Sequence, residues 1–258
     1  MLSEDLSPWT TALTDLGGQR VWSLLVSVFG DLAQEDGAAI EGPVLSAIMT
    51  AMDVRPEATR VALHRLRNDG WIQSEKTGRT SRHSLTRFGR EETVTASRRI
   101  YARPEDVCQS WKIIVTDGSE NREAIATAGF TQIAPRIYAG AETAQASRDV
   151  LILTGDTVPD WVRKTVVSDR LFAEYKSLHS ILKDIDASIS ETDDLPPVSR
   201  AVLRCLIVHN WRRLVLRHPA LPPALCPDGW RGHDCHVLVS GLLDRIKRPE
   251  PEALSDRG

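Results

Sequence analysis

The residues best placed to do chemistry in this chain begin with the stretch Pro56 to Gly70, P-E-A-T-R-V-A-L-H-R-L-R-N-D-G. At helical spacing Ala58, Val61, Ala62 and Leu66 fall on one face, with Thr59 and Leu63 at its edge. Arg60, His64 and Arg67 project from the opposite face. Pro56 suits a first helical turn, where its missing N–H costs nothing, and Gly70 suits a stop. A short helix with one apolar stripe and a basic outer row matches a DNA major groove. Arginine can bond guanine O6 and N7 together, His64 can reach a phosphate, and Thr59 stands at the rim of the contact. Arg65, beside the apolar face, is expected to pair within the domain. A solvated surface helix would carry the same residues, so its neighbours must decide.

Directly behind it, Trp71–Glu75 and Ser81–Leu85 read as two short strands around residues 76–80, with Gly78 supplying the turn. Lys76, Arg79, Arg82 and His83 line the tip and the returning strand. Alone, a charged hairpin is a solvated turn. Behind a basic helix-turn-helix it is a wing that meets the phosphate backbone or the minor groove.

The elements that must position these groups are legible on either side. From Arg20 a helix carries Val21, Leu25, Val28 and Leu32 on one face, flanked by Leu24 and Phe29, and should end near Asp36-Gly37. Gly42-Pro43 opens a second helix with Val44, Leu45, Ile48, Met49 and Met52 inward, and Asp53-Val54-Arg55 connects it to the basic stretch. Helix, short turn, helix is the geometry that seats the second helix in a groove. Residues 1–17 read as a loose arm anchored by Trp9, and Thr86 caps a linking helix from Arg87 to Ala102. Between Arg55 and Arg103 twelve Lys/Arg stand against five Asp/Glu, a local charge of +7 in a chain whose net charge is -3. A basic segment in an otherwise acidic protein points to one localised polyanion contact, here double-stranded DNA.

Past Pro104 the pattern changes. Trp111–Asp117 reads as a strand, Asn121–Ala128 as a helix, Ile133–Ala139 as a second strand, Ala141–Ser147 as a short helical piece and Asp149–Thr154 as a third strand. That order predicts a small ferredoxin-like module. The rest reads as helical: Ser168–Ile185, an acidic linker over Ser188–Pro197, Val198–Arg217 with Val202, Cys205, Leu206 and Ile207 inward and Arg204 outward, a proline-stiffened loop, and Cys235–Ile246. The expected class is α+β in three blocks: 18–103 a winged helix-turn-helix with its linker helix, 108–160 the ferredoxin-like domain, and 161–248 a helical C-terminal effector and dimerisation domain.

Several classes drop out. The most apolar N-terminal run, Val21–Phe29, is too short to span a bilayer, and no basic region leads into an apolar core as a signal peptide would. The expectation is a soluble, cytoplasmic protein without membrane contact, its four cysteines reduced. Cys226, His233, Cys235 and His236 match no common zinc spacing, so no metal is expected. No G-x-S-x-G, P-loop or G-x-G-x-x-G is present, and no enzyme activity is expected. A metal-dependent nuclease on the ferredoxin-like module would rest on Asp117 alone, and an Asp before glycine is ordinary turn chemistry.

Three segments taken together resemble the PaaX-type repressors of phenylacetate degradation: V-W-S-L-L-V-S-V-F-G-D-L (21–32), the wing region through L-T-R-F-G-R (85–90) to R-R-I-Y-A (98–102), and L-I-V-H-N-W-R-R-L-V-L-R-H-P-A-L-P-P (206–223). Asn210 stands where that pattern has an acidic residue, and the central region is shorter. The resemblance implies the three-domain fold above, a homodimer, a repressor of an aromatic-acid catabolic operon, no cofactor, and release from DNA by an aryl-CoA thioester such as phenylacetyl-CoA. His209, Trp211, Arg212, Arg213 and Arg217 form the constellation that could take such an effector, guanidinium forks on its phosphates and the indole on an aryl or adenine plane. The same row has a plainer reading. His209 shares the stripe of Val202, Cys205 and Leu206 as a core histidine would, and arginines on a long helix pair within the protein. The alternative is a DNA-binding repressor whose C-terminal domain only dimerises or binds a different small acid.

Overall fold

Residues 7–17, 20–78, 80–189, 195–250 and 253–254 are described by the structure, a computed structural model. Their class is α+β, with two small antiparallel sheets among helices. By their internal contacts they form two units. The first comprises the described residues within 1–101, 180–212 and 238–258, and the second those within 102–179 and 213–237. The C-terminal helices contribute to both units.

In the first unit, part of the expected loose arm is a helix, α1 (Ser7–Asp15), whose Leu13 is fully buried. The apolar run Val21–Leu32 forms α2. After β1 (Ile40–Glu41) come α3 (Gly42–Ala51) and α4 (Pro56–Asn68), then β2 (Ile72–Thr77), β3 (Thr80–Leu85) and α5 (Arg87–Ile100). Leu45, Ile48, Met49 and Met52 are buried as their spacing predicts. The turn between α3 and α4 closes through Val54 N–H to the Met49 carbonyl and Asp53 N–H to the Thr50 carbonyl, with Asp53 at φ 59°. Helix α4 ends the same way, Trp71 N–H on the Leu66 carbonyl and Gly70 at φ 73°, so the predicted glycine stop supplies the left-handed residue. Strand β3 lies between β1 and β2, pairing Ser74 with His83 and Glu75 with Arg82. Thr86 caps α5 by accepting from Gly89 N–H at 3.1 Å. A Cβ on Gly89 would stand 2.1 Å from the Trp71 carbonyl oxygen, so only glycine lets α5 approach the start of the hairpin this closely.

Helix α2 is buried over Leu24–Phe29 and at Asp31, not along a single stripe. It packs on α4 and α5. It also meets the helix over Pro197–Val215, whose His209 and Arg204 bond its buried Ser27 and Asp31.

In the second unit, β4 (Trp111–Val115), α6 (Arg122–Thr127), β5 (Phe130–Ala134), β6 (Ile137–Ala141) and β7 (Leu151–Leu153) build a sheet in the order β5-β6-β4-β7. The single strand expected over Ile133–Ala139 is instead a hairpin. Pro135 lacks a ladder N–H and Arg136 takes φ 63°, so the chain reverses there. In place of the helical piece expected around Ala141–Ser147 the backbone makes turns. Helix α7 (Asp160–Val166) sets Val162 and Val166 against Ile133 and Ala139. Ile114, Ile125, Phe130 and Tyr138 form a second cluster.

Three further helices complete the described chain: α8 (Asp169–Ser188), α9 (Pro197–Val215) and α10 (Gly232–Arg245). Of the expected linker, residues 190–194 lie outside the described residues. Among the described residues no helix is long and apolar enough to cross a membrane.

Candidate nucleic-acid interface

Helix α4 sorts its side chains by how many neighbours press on it. Thr59, Ala62 and Leu66 are buried against α2 and α3. Arg60, Val61, His64 and Arg67 are exposed. Two placements correct the sequence reading. Val61, assigned to the apolar face, is 70% exposed, and Thr59, placed at the edge of that face and the rim of the DNA contact, is 5% exposed with its hydroxyl directed at the Arg55 carbonyl at 3.4 Å. The buried face centres on Thr59, Ala62 and Leu66, where a small hydroxyl directed at its own helix backbone packs among apolar neighbours.

The outer row is lightly tethered. Arg60 approaches Glu57 at 3.6 Å with both side chains about three-quarters exposed, a pair worth little in water. His64 Nδ1 accepts from Asn68 Nδ2 at 3.3 Å. Arg65 pairs with Asp69 at 3.4 Å and lies over the Trp22 ring at 5.4 Å, within the unit as its position predicts. The row therefore offers guanidinium forks and an imidazole around one bare isopropyl group.

The hairpin supplies less charge than its sequence promised. Lys76 is exposed opposite Ser81. Arg79 lies outside the described residues. Arg82 is exposed, but its register neighbours are Glu41 on β1 and Glu75 on β2, and one guanidinium nitrogen donates to the Gly37 carbonyl at 3.4 Å. His83 is not a phosphate contact. It is 6% exposed, Nδ1 at 2.7 Å from Ser74 Oγ and Nε2 at 3.1 Å from Ser81 Oγ. Burial, and then the positive charge of Arg67, hold its pKa below 6.5. A neutral ring with one donor and one acceptor nitrogen matches two hydroxyls, and it pins β2 to β3.

Residues 20–89 match the family model of PaaX-like proteins, and residues 168–254 match that of the PaaX-like protein C-terminal domain. The chain is 24% identical to the transcriptional repressor PaaX of Escherichia coli (strain K12), over 92% of this chain and 83% of that protein. The chain belongs to the PaaX-like family.

The first PaaX-like segment holds the helices and hairpin just described. The second holds the expected effector row, and the structure distributes that row differently. His209 is 1% exposed with Nδ1 at 2.9 Å from Ser27 Oγ on α2. Trp211 is 2% exposed, its indole N–H donating to the Ile100 carbonyl at 2.9 Å, so its ring presents no stacking surface. Arg212, half-buried, donates to the Ser23 carbonyl and the Ser27 hydroxyl at 3.1 and 3.0 Å. These three belong to the first unit and hold α9 to α2 and α5. Arg213 and Arg217 belong to the second unit. Arg213 is half-buried, and Arg217 is exposed and paired with Glu174. Asn210 Nδ2 donates to the Leu13 carbonyl at 3.0 Å, which ties down α1.

One constellation escaped the sequence reading. Asp31, with no exposed surface, accepts two bonds from the Arg204 guanidinium at 2.8 and 3.1 Å and one from the Tyr101 hydroxyl at 2.7 Å. Arg248 approaches it at 3.6 Å. Arg204, expected outward, is 5% exposed and also donates to the Leu243 and Ile246 carbonyls. The signal was available in V-F-G-D-L and A-V-L-R-C-L: a carboxylate and a guanidinium each set in an apolar helix with no polar face to join.

The remaining candidates have local roles. Asp117 Oδ1 accepts from Ser119 N–H at 2.8 Å and Ser119 Oγ at 2.6 Å, the turn chemistry expected of an Asp before glycine. His236 Nε2 donates to the Ala102 carbonyl at 2.7 Å and the Cys235 thiol points to the Tyr175 carbonyl at 3.5 Å, so neighbouring side chains of the Cys/His group are spent on packing.

Proposed function

We propose that this chain is a DNA-binding transcriptional repressor, without enzymatic activity, in which α3, α4 and the β2–β3 hairpin act as a winged helix-turn-helix and the β4–β7 sheet as a ferredoxin-like module. The observation that carries the reading is the outer row of α4, Arg60, Val61, His64 and Arg67, exposed together on a helix whose other face is locked into the unit. Similarity to the E. coli repressor supports the same reading. In this role α4 lies in the major groove of operator DNA. Arg60 and Arg67 bond guanine edges, Val61 meets a thymine methyl, and Lys76 and Arg82 meet phosphates.

An aryl-CoA thioester such as phenylacetyl-CoA remains the proposed effector, on the strength of the family resemblance. In this role half-buried Arg213 and exposed Arg217, which would exchange Glu174 for the ligand, meet its phosphates, since His209 and Trp211 are core residues and Arg212 bonds α2. Selection of binding sites from a random duplex library, repeated with Arg60→Ala, tests the DNA reading. The parent should return one consensus, and the variant should lose discrimination at one of its positions. Calorimetry with phenylacetyl-CoA and with free phenylacetate then tests the effector. Heat from the free acid alone would favour a repressor that responds to a different small acid.

A further inference from the structure

Glu57, the one acid in α4, stands in the middle of the outward face of that helix. At about 100° per residue, the direction opposite the buried Thr59, Ala62 and Leu66 falls between Glu57 and His64, with Val61 and Asn68 to one side and Arg60 and Arg67 to the other. The Glu57 side chain is 76% exposed. It belongs to the second residue of the helix, and the N-terminal residues of a recognition helix are the ones that reach base edges. A first-turn carboxylate suits the helix dipole as well, but that benefit does not depend on the face it occupies. On a surface that meets phosphates, a carboxylate costs affinity for every sequence unless it finds a donor. In the major groove the donors are cytosine N4–H and adenine N6–H.

We propose, resting on the DNA-binding reading above, that Glu57 is a specificity determinant that accepts from cytosine N4 in the base pair whose guanine Arg60 bonds. Arg60 Nη1 lies 3.6 Å from Glu57 Oε1, so a guanidinium fork and a carboxylate arrive side by side. Guanine O6 and N7 accept, and the N4–H of the paired cytosine donates next to O6. The two side chains therefore match both halves of one G·C pair. With A·T in its place, Arg60 meets adenine N6–H and Glu57 meets thymine O4, so donor faces donor and acceptor faces acceptor. C·G fails in the same way. T·A keeps both signs, thymine O4 for Arg60 and adenine N6–H for Glu57, and loses the second bond to the fork. The expected order is G·C, then T·A, then A·T and C·G. An amide at this position donates as well as accepts, so Glu57→Gln should soften the rejection of the last two.

Competition binding of the full chain to four duplexes that differ only at the pair relaxed by Arg60→Ala tests this. The parent should follow the order above. Glu57→Gln should narrow the gap between G·C and the A·T and C·G duplexes by about fivefold or more. Its melting temperature should be unchanged, because the side chain is exposed. An equal gain for all four duplexes would show that the carboxylate contributes net charge alone. A gap as wide as the parent's would show that it touches no base. Either result, or relaxation at a different pair, overturns the role of Glu57 while a clear parental consensus leaves the DNA-binding reading standing. A parent that selects no consensus would overturn that reading and this role with it.

Discussion

Helix α4 holds Arg60, His64 and Arg67, and helix α9 holds Arg204, His209 and Arg212, so as residue lists the two read alike. On α4 all three are exposed. On α9 the run Ala201–Trp211 is buried on every side and its polar groups reach into α2 and α5: Arg204 to Asp31, His209 and Arg212 to Ser27, Trp211 to Ile100. A cation on a helix stays at the surface when only one face is packed, and becomes a clamp when all faces are. In the first unit the two cases share α2, which packs on α4 and bonds to α9.

That contrast can be broken most sharply at the buried pair. Asp31→Ala or Arg204→Ala should each cost about 3–5 kcal/mol of stability in a denaturant titration, because each leaves a buried charge without its closest partner. Replacing both together with apolar residues should cost less than either single change. Two equally destabilised singles whose effects simply add would mean that the charges do not share one site.

Trp211→Phe should cost about 1–3 kcal/mol of stability, since the Ile100 carbonyl loses its donor. It should leave thioester affinity unchanged if the indole is a core group. Arg60→Ala and Arg67→Ala should do the reverse, leaving stability within about 0.5 kcal/mol and weakening consensus DNA by about 1–3 kcal/mol. Equal binding of consensus and scrambled duplex by the parent would remove the distinction between the helices.

His83 sharpens the contrast by pH. Its folded-state pKa is held below 6.5 by burial, so the unfolded chain binds more protons just under that value. Stability contributed by the neutral ring is complete above pH 6.5 and is lost as pH falls below it. His83→Gln should flatten that part of the stability–pH curve, and an unaltered curve would show that the ring is not buried. The smallest effect is expected at Arg82, flanked by Glu41 and Glu75. Its alanine variant should weaken all duplexes alike and lower the salt slope by about one unit.

The elements around α4 were legible because each is written locally. Pro56 and Gly70 bound the helix, Thr86 caps the next, and the spacing of Leu45, Ile48, Met49 and Met52 declares their face. The hairpin in the second unit was less so, although Pro135 inside an apparent strand was its marker. The outer row of α4 was read correctly for its charges and wrongly for Val61 and Thr59. Periodicity ranks residues by polarity, whereas the contact depends on which one fits between α2 and α3.

By itself, then, the sequence determined the helices and turns around α4 and its basic row, since these follow from spacing, capping and backbone freedom within a few residues. Only the tertiary structure decided that Arg204, His209 and Trp211 are clamps and that His83 is a pin. Their partners Asp31, Ser27, Ile100 and Ser74 stand between 9 and 182 residues away. The cost of burying a polar group is set by the partner that meets it, and no local pattern names that partner.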